Sequence, residues 1–284
     1  MISKLMIYLR LARLDKPVGI YLLLWPSLMG LMLGALNEGY IDFENYLIVL
    51  AGAILVRSCG CVINDISDYK FDKLVSRTKD RPIAKGEVSL KGAWIFFSIL
   101  ASSCLSLLIF VPKTTVQISL FIAIFILIYP LTKRFLKAPQ FFLGITFGSG
   151  TLISYSLVST NFSLSILLLF IGTVLWIISF DTIYALEDIE DDKLIRINST
   201  PILWGDKAII ISKILHLLFY FSLLLIFFIN QFSPLFLAIL LLLFCIYFYQ
   251  NSLVNQGKYL KSFKMNNWVG MIASIGFVNE IFLI

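Results

Sequence analysis

Nine runs of mostly apolar residues, each near the thickness of a bilayer's hydrocarbon core, follow one another and leave little chain for anything else. They lie at about 18–36, 46–63, 93–111, 115–131, 140–158, 164–180, 208–230, 234–249 and 267–284. A helix needs roughly 20 such residues to cross a membrane, where every backbone N–H and C=O must be satisfied within the segment. The expected fold class is therefore all-α, a polytopic membrane protein with nine transmembrane helices. Composition agrees: 59% of the 284 residues are hydrophobic and 14% charged, against roughly 25% charged in soluble domains. The most interrupted spans are 46–63, which holds Arg57, and 267–284, which holds Glu280. Only the connections 64–92 and 181–207 are long and charged, so residues 1–284 are expected to form one membrane domain.

A net charge of +6 suggests nucleic acid until its distribution is read. Twenty Lys and Arg fall in the N-terminal tail and in the loops after the second, fourth, sixth and eighth spans. The loops after the odd-numbered spans hold only Lys113. Basic residues are retained on the cytoplasmic side. The N terminus and the charged loops are therefore expected in the cytoplasm, and the partner is the lipid bilayer, not nucleic acid. The first apolar run leads straight into further spans with no small-residue cleavage pattern, so neither a signal peptide nor a transit sequence is expected. Cys59, Cys61, Cys104 and Cys245 sit in or beside apolar runs at spacings that fit no zinc or redox motif. They read as small apolar residues.

Two acidic constellations stand out. Asn64, Asp68 and Asp72 recur every four residues, with Asp65 adjacent, and Arg57 lies seven before Asn64. If the second span continues as a helix, these positions share one stripe. In "DTIYALEDIEDD" (181–192), Asp188 and Asp192 are again four apart, Asp181 is seven before Asp188, and Tyr184 lies between. Like charges at i, i+4 destabilise a helix by roughly 0.2–0.5 kcal/mol per pair, which a bound cation would offset. Either run alone reads as a solvated loop. The same pair twice, each time after an even-numbered span and beside basic residues, points to Mg²⁺, which shares a few carboxylates with phosphate oxygens. Arg77 and Arg81 could clamp a diphosphate, with Lys73 and Lys85 adding positive charge and Pro82 ending the turn. Such a site at one end of apolar helices suits a charged diphosphate head on a greasy tail.

These residues resemble the UbiA-type intramembrane prenyltransferases, and within them the branch that acts on 4-hydroxybenzoate. The resemblance is carried by "LRLARLDKPVGIYLLLWPSLMGL" (9–31), "NDISDYKFDKLVSRTKDRPIAKG" (64–86), "YPLTKRFLKAPQFFLG" (129–144), "DTIYALEDIEDD" (181–192) and "NNWVG" (266–270). It implies nine helices around a central cavity in the bacterial inner membrane, with the site facing the cytoplasm. It also implies Mg²⁺-dependent transfer of a polyprenyl chain from a polyprenyl diphosphate to the carbon ortho to the hydroxyl of 4-hydroxybenzoate, a step toward ubiquinone. Asn64, Asp68 and Asp72, with Asp65 in support, would form one metal-diphosphate group, and Asp188 and Asp192 the other. Arg134 and Arg57 would meet the aromatic carboxylate or the diphosphate, and Lys133, Tyr184 and Lys193 would add substrate contacts. Where the family usually reads Gly-Ile-Lys-Ser-Thr after the second motif, this chain reads Arg196-Ile197-Asn198-Ser199-Thr200, and Lys193 and Arg196 keep the loop basic.

Other acceptors, such as a naphthoate, haem or homogentisate, stay open at this point. From a different class, so does a cation-coupled secondary transporter, which would place its acids near the midplane. Three membrane-embedded polar residues are expected to play structural parts. His216 would make a helix–helix hydrogen bond, Glu280 would reach the outer interface, and Lys213 would snorkel.

Overall fold

The computed structural model describes residues 4–40, 42–75, 77–194 and 197–283, and all of their regular structure is helical. In chain order the helices are α1 (Lys4–Leu11), α2 (Val18–Glu38), α3 (Phe43–Asp72), α4 (Leu90–Leu107), α5 (Lys113–Phe135), α6 (Pro139–Gly148), α7 (Gly150–Tyr155) and α8 (Leu164–Ala185). There follow α9 (Ile189–Leu194), α10 (Thr200–Trp204), α11 (Ala208–Asn230), α12 (Pro234–Asn255) and α13 (Tyr259–Phe282). Their ends carry recognisable stops. Gly39 closes α2 in the left-handed conformation (φ 75°) with its N–H on Ala35 C=O. Ser89 opens α4 by accepting the Gly92 N–H.

Among the described residues, seven segments are long and apolar enough to cross a membrane: Val18–Glu38, Phe43–Asp72, Leu90–Phe110, Lys113–Phe135, Leu164–Leu194, Thr200–Asn230 and Pro234–Asn255. The two remaining expected spans differ from a plain apolar rod. Residues 140–158 divide into α6 and α7 at the Gly148-Ser149-Gly150 run. The last is one helix, α13, whose first turns carry Lys261, Lys264, Asn266 and Asn267 and so dilute its hydropathy.

Helices α2 and α8 form the centre, with 72% and 61% of their apolar windows buried, whereas α4 at 6% is left for lipid. Close approach of backbones makes that centre possible. A Cβ on Gly30 would lie 2.1 Å from Thr151 C=O, and one on Gly172 would lie 2.0 Å from Ser222 Oγ. Small residues at such crossings are how helices gain packing where lipid is as apolar as leucine. Between α8 and α11, Trp176 stacks on Phe219 at 5.0 Å between centroids.

The "NNWVG" segment ties α13 to this centre by polar contacts. Trp176 Nε1–H donates to Asn266 Oδ1 at 2.8 Å, and Trp25 Nε1–H to Asn267 Oδ1 at 2.9 Å. Glu280, near the end of α13, is buried and bonded within the fold. Its carboxylate accepts the Ser233 N–H (2.9 Å) and hydroxyl (2.7 Å), and so caps α12, whose orphan N–H groups favour an anion. His216 differs from expectation. Its ring packs edge-on against Tyr220 and Tyr247, and Nε2 has no hydrogen-bond partner among the described residues. Lys213 donates to Asn255 Oδ1 at 3.0 Å.

Replacing Asn266 by Leu strands the Trp176 N–H in a dry core, and an unsatisfied buried donor costs about 1–3 kcal/mol. Thermal unfolding in detergent should therefore fall clearly for Asn266→Leu. It should fall less for Asn267→Leu, whose Trp25 partner is only half-buried.

Candidate active site

Helix α3 runs for 30 residues, past the end of its apolar stretch, and so carries Asn64, Asp65, Asp68 and Asp72 on helical backbone, as their spacing predicts. Asp65 and Asp68 are 1% exposed and Asp72 6%, while Asn64 is half-buried. Three buried carboxylates cannot stay charged without cations beside them. The cations come from three other parts of the chain.

Arg81, in the turns after α3, lies 3.1 Å from Asp65 and 2.9 Å from Asp72. Arg13, before α2, lies 3.0 and 2.9 Å from the two Asp65 oxygens. At the end of α5, Lys133 pairs with Asp68 and Arg134 Nη2 lies 3.6 Å from it. Arg134 also donates to Ser67 C=O at 2.8 Å and lies over the Phe71 ring. Neither Asp68 oxygen, though buried, has a hydrogen bond of good geometry among the described residues. Its pairing with Lys133 is coulombic.

The second acidic run is not one continuous helix. After α8 ends at Ala185, Leu186–Asp188 forms a tight 3-10 turn and α9 restarts at Ile189. Asp188 therefore closes the 3-10 turn and Asp192 lies one helical turn further on, in α9, both half-buried. Arg77 crosses from the tail of the first motif to reach them. Its Nε lies 2.8 and 2.9 Å from the Asp188 oxygens, Nη1 donates to the Tyr184 hydroxyl, and the guanidinium lies over the Tyr184 ring. Partial desolvation works against the charge of Arg77, whose side chain is 42% exposed. The Asp188 hydrogen bond and the fields of Tyr184, Asp188 and Asp192 more than offset it, so its pKa rises above the ordinary guanidinium value. Arg81 behaves alike: burial opposes its charge, and Asp65 and Asp72 hold its pKa above normal.

A third connection completes the convergence. Asn198 N–H donates to Lys133 C=O at 3.0 Å, and Thr200 N–H to Gln140 Oε1 at 2.9 Å. All three charged connections thus meet at one end of the helices. Arg196 lies outside the described residues. Lys73 is exposed at the end of α3, Lys193 pairs with exposed Glu190 at 3.0 Å, and Lys85 lies between Asp80 and Glu87.

Deeper among the helices sits Arg57, its guanidinium 5.5 Å from the centre of the Phe147 ring and its Nε buried without a hydrogen-bond partner among the described residues. Asp181 lies in the fields of Arg57, Arg77 and Lys133 and close to Gln140. Tyr129 faces Asp181, Arg57 and Asp68. Asp181, Tyr129, Gln140 and Arg13 are members of this cluster that residue spacing did not single out as site residues. Asp181 sits on the stripe of its motif, and Tyr129 and Gln140 belong to the "YPLTKRFLKAPQFFLG" segment. Arg13 carried no signal in the pattern of acids.

The donor set suits a hard divalent cation: carboxylate oxygens on two elements, with both Asp68 oxygens buried and lacking hydrogen bonds. Among the described residues no three His, Cys, Asp or Glu side chains close on one point. The carboxylates of the α3 stripe and Asp188 instead face Lys and Arg, which hold the places that metal and phosphate charge would compete for.

Fold and site together define an all-helical integral membrane enzyme with a charged site at one end of its helices. Residues 23–273 match the UbiA prenyltransferase family, and the chain belongs to that family. The 4-hydroxybenzoate octaprenyltransferase of Vesicomyosocius okutanii subsp. Calyptogena okutanii (strain HA) is 37% identical over 272 residues, 95% of this chain and 99% of the relative. The 4-hydroxybenzoate octaprenyltransferase of Pseudomonas aeruginosa (strain LESB58) is 42% identical over 199 residues, 70% of this chain and 67% of the relative. Among solved structures, an apo UbiA homolog from Aeropyrum pernix K1 superposes with a TM-score of 0.79 at 25% identity, covering 90% of this chain and 96% of its own. A UbiA homolog from Archaeoglobus fulgidus bound to GPP and Mg²⁺ shares the fold at a TM-score of 0.73 and 18% identity, covering 96% and 99%. A prenyltransferase makes a product, so the transporter reading falls away.

Lys133 neutralises a buried carboxylate, whereas Lys193 pairs with an exposed one. Lys133→Met should therefore cost about 1–3 kcal/mol of stability, and Lys193→Met less than about 1 kcal/mol. Denaturation in detergent micelles without ligand measures both.

Proposed function

We propose that this enzyme transfers a polyprenyl chain from an allylic polyprenyl diphosphate to the ring carbon ortho to the hydroxyl of 4-hydroxybenzoate, in a Mg²⁺-dependent step toward ubiquinone. The observation that carries the reading is the bridge between the two acidic motifs. Arg77 and Arg81 stand between Asp72 and Asp188, where a diphosphate would lie, while Asp68 keeps buried oxygens without hydrogen bonds. The names of the curated relatives support the aromatic acceptor. The likeness to a fold solved with GPP and Mg²⁺ supports the donor and the ion.

In this reading Asn64, Asp68 and Asp72, with Asp65 in support, and Asp188 and Asp192 hold Mg²⁺. The bound ion supplies charge stabilisation for a departing diphosphate. Arg77, Arg81 and Lys133 give up part of their hold on the carboxylates to phosphate oxygens, with Tyr184 keeping the Arg77 fork in plane. Lys73 and Lys193 lend long-range positive charge from the rim. The allylic C–O bond lengthens with its cationic carbon beside Tyr129 and Phe147, whose ring faces favour positive charge and exclude water. Arg57, deep and with a donor to spare, takes the benzoate carboxylate, and Arg134 stays with the diphosphate group. This turns the electron-rich carbon next to the phenol toward the allylic carbon; a C–C bond forms as the C–O bond breaks, and the displaced ring proton passes to the released diphosphate. Nine crossing segments would place this site at the cytoplasmic face of a bacterial inner membrane, one domain spanning residues 1–284.

Asp68→Ala and Asp188→Ala should each lower turnover by at least about 100-fold, the scale lost when a preorganised electrostatic group is removed. Chelation of divalent ions should abolish transfer and added Mg²⁺ restore it. Near-normal turnover in either variant, in membranes given Mg²⁺, prenyl diphosphate and 4-hydroxybenzoate, sinks the assignment. Arg57→Met should raise KM for 4-hydroxybenzoate about 10-fold or more while changing KM for the prenyl diphosphate little. The reverse pattern exchanges the roles of Arg57 and Arg134.

A further inference from the structure

Arg13 stands just past the end of α1 with a φ of 59°, in the left-handed region. A helix often ends on such a residue, but glycine is the usual choice, because a Cβ is strained there. The end has the expected bonding: Leu14 N–H reaches Leu9 C=O at 2.9 Å, and Arg13 N–H reaches Arg10 C=O at 3.1 Å. A strained arginine is held by something its side chain does. Here Nη1 donates to Arg10 C=O at 3.0 Å and Nη2 meets both oxygens of Asp65.

Asp65 is not the end of the line. Arg81 approaches one of its oxygens at 3.1 Å, and the same Arg81 nitrogen lies 3.0 and 2.9 Å from the Asp72 oxygens. The series Arg13, Asp65, Arg81, Asp72 alternates two cations with two buried anions. Helix α1 is itself fastened to the loop that carries Arg81. Leu11 is buried with Val62, Ile66, Ile83 and Val88, and Arg10 binds Glu87 at 3.1 Å and Asp80 C=O at 3.2 Å.

We propose that Arg13 is a positioning residue for the diphosphate site: by neutralising Asp65 it keeps Arg81 available to Asp72 and to phosphate. The inference rests on the reading of this site as one for a diphosphate. A buried carboxylate demands a counter-ion. With Arg13 present, Asp65 draws on two guanidinium groups. Without it, Asp65 has only Arg81, and the guanidinium is drawn back along α3, away from Asp72. The loop that holds Arg81 then loses one of its fixed points, and diphosphate is met by a misplaced cation. Removing the Asp65 charge removes the demand, so the effect of Arg13 should vanish with it.

The test compares Arg13→Gln, Arg13→Lys, Asp65→Asn and the Arg13→Gln/Asp65→Asn double variant with wild type in detergent. Two readouts are needed: amide hydrogen exchange over residues 77–89 without ligand, and the kinetic constants for the prenyl diphosphate. Arg13→Gln is expected to speed exchange in that loop and to raise KM for the diphosphate about 10-fold, with kcat within about twofold. Arg13→Lys should recover only part, since one ammonium lacks the fixed fork that holds Asp65 through Nη2 and Arg10 C=O through Nη1. In the Asp65→Asn background, Arg13→Gln should change neither readout by more than about twofold. Wild-type exchange and KM in Arg13→Gln overturn the proposal, as does an effect that persists undiminished when Asp65 is already Asn. If Arg13→Gln does not fold, the Arg13→Lys and double variants carry the comparison. The exchange measurement needs no turnover, so it judges Arg13 even if the acceptor or the reaction assigned above is wrong.

Discussion

Three aspartates buried at the end of one apolar helix are the constraint around which the rest is arranged. Asp65, Asp68 and Asp72 are all under 9% exposed, in a chain with few charges to spare. Water cannot solvate them there, so the chain itself must bring cations to them. Arg13 comes from the segment before α2, Arg81 from the turns after α3, and Lys133 and Arg134 from the end of α5. Each counter-ion fixes a connection that would otherwise be free at the membrane surface. The same attraction that permits burial also closes the site.

The site is thereby a balanced lattice of opposite charges, and balance gives it a use. A guanidinium shared between carboxylates can be shared with phosphate, and a carboxylate released from it can take a metal. On the function proposed above, binding of a metal–diphosphate would be an exchange of partners rather than a fresh desolvation of bare charges, which would be far more costly in an apolar setting. Arg77 extends this economy across the fold. By pairing with Asp188 it joins the acidic run after α8 to the one on α3, and that pairing keeps its fork charged.

Much of this was legible from residue order. The four-residue spacing of Asn64, Asp68 and Asp72 placed them on a helix, and α3 does run to Asp72. The apolar runs foretold an all-helical membrane protein, and the family resemblance foretold the fold. Other features were not legible, for physical reasons. Spacing put Asp181 on one stripe with Asp188, but a 3-10 turn at Leu186–Asp188 comes between them before α9 carries Asp192. Glu280 read as an interfacial acid, and residue order gave no sign that it caps α12 through Ser233, a partner 47 residues away. Arg13 looked like one more basic residue in a tail, since nothing local records that its partner is Asp65.

Periodicity and charge are local quantities, and they suffice to say what kind of helix each stretch makes and which of its faces carries the chemistry. Hence the class of protein and the two acidic motifs follow from residue order. Pairing is not local. Which cation answers which carboxylate depends on how thirteen helices pack, and on distances set by contacts such as Gly30 against Thr151. The series from Arg13 to Asp72, the reach of Arg77 to Asp188 and the deep placement of Arg57 exist only once the helices have closed. A charge buried by that closure has no solvent left to satisfy it and must find its partner within the fold.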